Sequence, residues 1–385
     1  MNRKALPKII LFALVALFVF LLPGLNAARA ESDNVYYYAV VSEITDYGTQ
    51  DNLEGITDGP LQEWQTLQLK ILNGDKKGEF VTVNNGKNFI IGTFQKYDLG
   101  DKVVINKPAD VPDGKDDLYY IVDQYRIPNL LFITLSFFAL AIFFGRRRGL
   151  TAIIGMVFSV AVIFYFIIPR ILGGADPFLT TVAGATVIIL ISLYLSHGFN
   201  KRTTISLISS LIALGIAVLI DLAFVHFAYL TGNGTEEAFY LQFGDLNINL
   251  KGVLLSGIII GVLGVLDDVT TGQTAAVEEI HSANNSLGFN ALFRSGLSVG
   301  QEHIAALVNT LVLAYAGASF PLLLLYGVQK TQPLWVTLNS SFIAEEIVRT
   351  LVGSAVLVIA VPLTTLLAAF YYSKQKTGRN NSRPE

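Results

Sequence analysis

Seven long apolar stretches after residue 126 constrain the fold of this chain more than any other feature. Each is close to the roughly 20 residues that a helix needs to cross a bilayer. They cover residues 127–145, 149–169, 178–196, 204–229, 252–268, 304–327 and 350–371. Only 15% of the chain is charged, against about 25% in an ordinary soluble protein. The sequence therefore predicts an α-helical polytopic membrane protein with about seven transmembrane helices, surrounded by a lipid bilayer.

Lysine and arginine are distributed unevenly between the two sides of this predicted bundle. Three arginines, residues 146–148, follow the first stretch, Lys201 and Arg202 follow the third, and residues 373–385 form a basic tail. Loops rich in these residues stay in the cytoplasm. We therefore predict a multi-pass protein of the plasma membrane with residues 31–126 extracytoplasmic and the C-terminus cytoplasmic. The segment 336–371 is too long for one straight span, and a re-entrant path at 336–350 stays open.

The first thirty residues have the pattern of a signal peptide or a signal anchor. Arg3, Lys4 and Lys8 precede an apolar run, and a small-x-small triplet ends at Ala30. Cleavage after Ala30 and retention as an anchor both remain open. Either outcome exports the residues that follow.

Residues 31–126 read as a small all-β domain ahead of the transmembrane domain 127–372. Five runs rich in β-branched and aromatic residues begin near positions 35, 66, 79, 102 and 118, with Gly, Asn and Asp turns between them. Short strands at this spacing favour a small barrel of OB-like or SH3-like type. The chain contains no cysteine, which excludes disulfides and cysteine metal sites. It also lacks the basic patch typical of a nucleic-acid-binding protein.

Small residues repeat along one face of the fifth apolar stretch. Gly257, Gly261 and Gly264 follow one another at spacings of four and three residues. Such spacing lets a second helix approach closely in a membrane. We therefore expect a helix-packing seam along this face.

The same helix continues into a polar segment that carries Asp267, Asp268, Thr271, Glu278 and Glu279. Two adjacent acids close to the membrane boundary repel each other unless a cation or a shared proton relieves them. These five residues are therefore candidates for binding a substrate or an ion. The alternative is a polar helix face that is simply in contact with water.

Further polar residues fall inside or beside the other apolar stretches. The sixth begins with Glu302 and His303, and Asn309 follows about two helical turns later. Asp221 lies inside the fourth stretch, where a carboxylate is a functional candidate unless it is hydrated at the outer interface. These four residues complete the candidate binding set.

Glu345 and Arg349 lie four residues apart near the start of the last stretch. This spacing favours a structural ion pair on one helix face.

The acids and the histidine also form a candidate metal site. Asp267, Asp268, Glu302 and His303 carry the ligand types that Mg²⁺, Mn²⁺ or Ca²⁺ accept. A divalent cation is therefore a candidate cofactor, although no motif specifies one. The sequence has no HExxH, GxSxG, Walker or kinase pattern, so an enzyme has no strong motif in its favour.

Two segments carry a resemblance to a known family. They are GVLGVLDDVTTGQTAAVEEI, which begins at Gly261, and GQEHIAALVNTLVLAYAGA, which begins at Gly300. Together they resemble the YibE/F family of multi-pass membrane proteins over about residues 130–372. The resemblance implies a plasma-membrane protein with an exported domain before its membrane core. It implies no particular activity and no catalytic residues.

Three functional hypotheses follow from these residues. The first is movement of an ion or small solute through a polar site on the fifth and sixth helices. The second is a membrane-embedded metal-dependent enzyme, and the third is a non-catalytic assembly module. A second copy of the chain and a partner membrane subunit are both open as partners.

Overall fold

The computed structural model describes residues 35–50, 62–86, 96–108, 118–243, 247–328 and 333–374. The predicted signal segment 1–30 and nearly all of the basic tail lie outside these residues. The chain divides into two compact units, a β-rich one that ends at Leu140 and a helical one from Ala141 onward. The division falls inside the first predicted span.

The β-rich unit contains one antiparallel sheet with the strand order β3-β2-β1-β4-β5. Its strands are β1 (Val35–Gln50), β2 (Gln62–Ile71), β3 (Phe80–Asn85), β4 (Lys102–Lys107) and β5 (Tyr120–Gln124). Because successive side chains of a strand point to opposite faces, Tyr37, Ala39 and Val41 are buried while the residues between them are more exposed. Leu67 and Leu69 of β2 complete the same core.

The five predicted strands are confirmed, and β1 is much longer than its apolar run suggested. The register between β1 and β2 shifts after Val41 and again after Ile44. Such bulges bend a strand and increase its twist. β1 pairs with β4 over residues 35–40 and with β2 over residues 39–50. The OB-like or SH3-like identity of the unit stays a prediction.

Two side-chain links fasten loops onto this sheet. Gln65 forms a pair of hydrogen bonds with the backbone of Tyr97, at 2.9 Å and 3.0 Å. The hydroxyl group of Tyr37 donates a hydrogen bond of 2.8 Å to Asp75. Burial and this bond raise the pKa of Tyr37 to about 12, because both favour the protonated phenol.

The rest of the described chain is helical. The helices are α1 (Ile127–Val162), α2 (Pro177–His197), α3 (Lys201–Phe227), α4 (Glu236–Phe243), α5 (Leu250–Ala283), α6 (Phe289–Ala318), α7 (Phe320–Val328), α8 (Leu334–Leu338) and α9 (Ser341–Ser373). The helical path of α1 continues through a wider π-type turn, Ile163–Ile167, to Leu172. Local sequence fixes several starts, since Asp176, Asn200 and Asn249 each accept a backbone hydrogen bond as the N-cap of α2, α3 and α5.

Six helices of the described chain are long and apolar enough to cross a membrane. They are 127–172, α2, α3, α5, α6 and α9. The first is 46 residues long and contains the first two predicted spans. Its backbone leaves the helical conformation at Arg146, with φ 52° and ψ −129°. The helical membrane architecture is confirmed, whereas the count of about seven stays a prediction.

The structure corrects one expected span. Helix α5 runs on to Ala283, in line with the predicted continuation of the fifth stretch, and α6 begins at Phe289. The expected span 304–327 is divided between α6, which ends at Ala318, and the short helix α7. In the last segment α9 is one continuous helix of 33 residues from Ser341, with Pro362 inside it.

Helix α5 lies at the centre of the helical unit and packs against α2, α3, α6 and α9. Its buried face carries Leu266, Val269 and Val277, and helical periodicity puts these residues on the side away from the acids. The acidic residues of α5 therefore lie on or beside its less buried side.

Candidate functional site

A cavity of about 1030 Å³ lies between α1, α2, the start of α3 and α5. Its lining combines apolar side chains with charged and hydrogen-bonding ones. The charged lining residues are Arg148, Lys201, Arg202, Asp267, Asp268 and Glu278. The polar neutral ones are Ser159, Ser192, Ser196, Asn200 and Thr203, and His197 also lines the cavity.

The two adjacent aspartates of α5 differ in their surroundings. Successive helix positions point about 100° apart, so Asp267 is half-buried and Asp268 is exposed. One carboxylate oxygen of Asp267, Oδ1, is buried without a hydrogen-bond partner among the described residues. The hydroxyl group of Thr271 is engaged locally, because it donates to the backbone oxygen of Asp267 at 2.8 Å. Asp267 therefore brings to this wall a buried carboxylate oxygen with unused capacity to accept a hydrogen bond.

Glu278 reaches the same cavity and is paired there. Its Oε2 lies 2.7 Å from Nε of Arg202 at the start of α3. Both side chains are about one-third exposed, at 31% and 32%. The neighbouring Glu279 is exposed and does not line the cavity. The two glutamates, which the sequence treated together, thus have different environments.

The basic wall of the cavity was missed as part of the site. Arg148, His197 and Lys201 approach from α1, α2 and α3, elements far from the acids in sequence. The arginine run and the Lys-Arg pair were read only as markers of the cytoplasmic side. Their position at the ends of apolar stretches was a signal, but it did not specify which helices meet.

The candidate residues of the sixth apolar stretch lie outside the cavity. Glu302, His303 and Asn309 are exposed on α6 and do not line the cavity. Across the described ranges, no three His, Asp or Glu side chains are close enough together to hold a metal ion. The structure therefore does not bring Glu302 and His303 together with the aspartates of α5 as one ligand set.

The glycine seam of α5 is only partly used for packing. A methyl group placed on Gly261 would lie 2.8 Å from the hydroxyl oxygen of Tyr315 on α6. The same group on Gly257 or Gly264 would have no neighbour within 4 Å among the residues that the structure describes. Close helix approach, expected along the whole seam, is therefore limited to Gly261, and Gly264 faces the cavity instead.

The close helix packing occurs on α6, at two glycines that the sequence reading did not select. A methyl group on Gly296 would lie 2.8 Å from Val277 of α5 and 3.0 Å from Thr365 of α9. On Gly300 it would overlap Val361 and lie 3.0 Å from the amide nitrogen of Gln273. Small residues here allow α5, α6 and α9 to meet.

Hydrogen bonds between helices hold α5 in register with its neighbours. Ser210 and Thr270 join α3 to α5 through their hydroxyl groups at 2.7 Å, and Ser206 donates to Thr274 at 3.1 Å. Gln273, which is 3% exposed, donates to the backbone oxygen of Gly296 at 2.8 Å and to Thr365 at 2.7 Å. These contacts fix the helix that carries the acids.

Asp221 is buried inside the helical unit. It is 0% exposed, and neither of its carboxylate oxygens has a hydrogen-bond partner in the described part of the chain. The alternative of hydration at the surface does not fit this burial. Asp221 does not line the cavity.

The predicted ion pair of Glu345 with Arg349 is corrected by the structure. The Nη1 atom of Arg349 lies 3.9 Å from Glu346 instead. Glu345 is 2% exposed and accepts a hydrogen bond of 3.0 Å from the backbone nitrogen of Gly234, in the loop after α3. A methyl group on Gly234 would lie 2.5 Å from Cδ of Glu345, so the carboxylate is held directly over this loop.

The six long apolar helices, a cavity of mixed apolar and charged lining between four of them, and an antiparallel sheet earlier in the chain define a membrane protein with a helical core. The family model of YibE/F-like proteins matches residues 133–374. The chain therefore belongs to the YibE/F family, as its two α5 and α6 segments predicted. No curated protein and no solved structure matches the chain.

Proposed function

We propose that this protein moves an ion or small polar solute across the plasma membrane through the cavity beside α5. The observation that carries the proposal is the position of Asp267 and Asp268. They lie inside a helix long enough to span a membrane and also line a cavity of about 1030 Å³. Acids in a membrane span that face a cavity are typical of ion and substrate pathways.

The charges around the cavity indicate what it would accept. Arg202 and Glu278 neutralise each other. The remaining charged lining consists of Arg148 and Lys201 against Asp267 and Asp268. A cavity of this composition favours a small polar solute or ion over an apolar one, because apolar ligands leave such groups without partners.

The test is flux through proteoliposomes that contain the purified full chain. The probes are radiolabelled sodium, rubidium, manganese, phosphate and glycine, each applied separately. We expect flux of at least one probe, and a fall of about tenfold or more in Asp267→Asn and Asp268→Asn. A hydrogen bond to a charged group contributes about 1.5–3 kcal/mol, and 1.4 kcal/mol corresponds to tenfold in binding.

Matched controls separate a site effect from a general loss of acidity. Glu302→Gln and Glu279→Gln remove the same charge from exposed positions that do not line the cavity. They should retain wild-type flux. Equal losses in all four variants, or unaltered flux in the two aspartate variants, would contradict the assigned roles.

An assembly role is the second candidate, and the surface of α6 favours it. Glu302, His303 and Asn309 are exposed on a helix that is apolar enough to span a membrane. Polar groups of this kind commonly contact another helix in a membrane. Cross-linking and mass measurement of the purified protein should then detect a second copy or a subunit, and Asn309→Leu should weaken the complex while leaving flux unchanged.

The orientation belongs to the same proposal. We place the β-rich unit, with its OB-like or SH3-like fold, outside the cell and residues 284–288 in the cytoplasm. Because the chain has no cysteine, single cysteines at the exposed positions Ser42 and Ser286 give a clean test. A membrane-impermeant maleimide should label Ser42→Cys in intact cells and Ser286→Cys only after permeabilisation. The reverse pattern would refute the orientation.

A further inference from the structure

The buried carboxyl group of Asp221 is the feature of the helical unit that the cavity leaves unexplained. It lies within α3, a helix long enough to span a membrane. It is 0% exposed, and both of its oxygens lack a hydrogen-bond partner among the described residues. Buried polar groups almost always have a hydrogen-bond partner. We therefore expect the carboxyl group of Asp221 to bind a ligand.

A second polar atom without a partner lies at a similar depth. α3 and α9 run antiparallel, since Ile205 clusters with Ala368 at one end and Glu345 binds the loop after α3 at the other. Asp221 lies about 24 Å beyond Ile205 along α3, at 1.5 Å per residue. Ser354 lies about 21 Å before Ala368 along α9. The hydroxyl oxygen of Ser354 is likewise buried without a described partner.

The charged groups on the surrounding elements are all distant along their helices. The helices packed against α3 are α2, α5 and α9. Ser210 of α3 pairs with Thr270 of α5. Counting the same number of residues from this pair along the two antiparallel helices places Ile259 of α5 opposite Asp221. The charged residues of α5 nearest to Ile259 are Lys251 and Asp267, each about 12 Å from it along the helix.

On α9 the nearest charged residues to the level of Ser354 are Arg349 and Glu346, about 8 Å and 12 Å along the helix, with Glu345 beyond them. Between Asp176 and His197, α2 carries no charged residue. On α3 itself, His226 is about 8 Å further along. The ion pairs of the described helical unit join other residues. Within the part of the chain that the structure describes, no charged side chain therefore compensates the carboxylate.

A proton is the cation that fits such a position. An isolated ionised carboxylate is strongly unfavourable away from water, so the group has to bind a cation. Metal ions such as Ca²⁺ and Mg²⁺ take six or more oxygen ligands, and no three His, Asp or Glu side chains gather in the described residues. A proton needs only one carboxylate oxygen.

We infer that Asp221 is a proton-binding site and that the proton is the ion coupled to solute movement, since the α5 residue opposite Asp221, Ile259, adjoins the cavity-lining residue Ile260. The coupling rests on the proposed transport function, whereas the proton site does not. Binding forms one O–H bond between a carboxylate oxygen and a proton delivered by water, and release reverses it.

Infrared spectroscopy of the purified full chain in detergent tests the proton site. A protonated carboxyl group absorbs at a C=O frequency distinct from that of the ionised form, and the band shifts in D₂O. We expect Asp221→Asn to lose one such band. Asp176→Asn is the control, because Asp176 is an exposed N-cap at the start of α2. An unaltered set of carboxyl bands in Asp221→Asn would overturn the proposal.

A second measurement uses the wild type, so the test survives if Asp221→Asn does not fold. Dicyclohexylcarbodiimide reacts with protonated carboxyl groups in apolar surroundings, and peptide mass spectrometry locates the adduct. We expect modification at Asp221 and none at Asp176. Absence of an adduct at Asp221 would overturn the proposal.

The coupling is tested with the flux panel. In wild-type proteoliposomes an imposed pH gradient should drive the transported probe, and Asp221→Asn should lose this drive while still exchanging the probe across the membrane. Gradient-driven flux that persists in Asp221→Asn would refute the coupling. Absence of flux with every probe in wild type would refute the proposed function, while the spectroscopic result would still decide the proton site.

Discussion

Replacing Gln273 with leucine tests whether interhelical hydrogen bonds position the acidic helix. Gln273 of α5 donates one bond of 2.8 Å to α6 and one of 2.7 Å to Thr365 of α9. Interhelical hydrogen bonds in membrane proteins contribute about 0.6 kcal/mol on average and at most about 1.7 kcal/mol. Gln273→Leu keeps most of the side-chain volume and loses both bonds, so we expect a loss of about 1.2 kcal/mol, with an upper bound of about 3.4 kcal/mol.

A double-mutant cycle isolates the bond to α9. Thr365→Val preserves shape and removes the acceptor, and the coupling between Gln273→Leu and Thr365→Val should be about 0.6 kcal/mol and at most about 1.7 kcal/mol. Equilibrium unfolding in mixed micelles, by titration with dodecyl sulfate, measures each variant. Gln301→Leu, at an exposed position of α6, is the control. The proposed role of these hydrogen bonds would be refuted if the coupling free energy were zero and Gln273→Leu changed the free energy of unfolding no more than Gln301→Leu does.

Three further predictions concern the β-rich unit, the helix packing and the edge of the cavity. Burial raises the pKa of Tyr37 to about 12, above the unfolded value of about 10. Between these two values the folded unit holds more protons than the unfolded chain, so its stability falls as pH rises through this range. Chemical unfolding from about pH 9 to about pH 12 should show this fall in wild type and less of it in Tyr37→Phe. Gly300→Leu overpacks the contact with α9 and should destabilise the fold by about 1–3 kcal/mol. Gly257 faces open space among the described residues, so Gly257→Leu should leave the stability unchanged. Equal decreases in the melting temperature of the two variants would contradict this prediction. The pair of Arg202 and Glu278, about one-third exposed, contributes about 0.2–1 kcal/mol. The thermal destabilisation by Glu278→Gln should therefore shrink in high salt, and a loss independent of salt would argue against the ion pair.

The sequence predicted the helical core because a membrane span has a length and composition that few other structures share. Helical periodicity also explains why the acids of α5 lie away from its buried residues Leu266 and Val277. Strand positions in the β-rich unit followed from alternation and turn residues in the same way. The bulges of β1 did not, because they depend on which strands pair along it.

The composition of the site could be predicted only within one helix. Asp267 and Asp268 were visible because they interrupt an apolar run, but Arg148 and Lys201 approach from other helices. Their contribution depends on how the helices pack, which periodicity does not specify. The same limit explains the glycines, because Gly257 has the expected spacing and no neighbour while Gly296 lies against two helices. For Glu345, the deciding partner is a backbone nitrogen in a loop more than one hundred residues earlier.

The π-type turn Ile163–Ile167 gives α1 two helical phases within one wall. Before the turn, Met156 and Ser159 face the cavity, and Ile163, the first residue of the turn, also lines it. At the end of the turn, Ile167 fills the space above Gly184 of α2, where a methyl group would lie 2.6 Å from the isoleucine side chain. A π-type turn holds one more residue than an α-helical turn, so deleting a single residue here would rotate the residues that follow the deletion by about 100°. In the intact helix, substitutions at the cavity-lining positions would leave the contact with α2 undisturbed. A change of length in this turn would instead break either the cavity lining or the α2 contact.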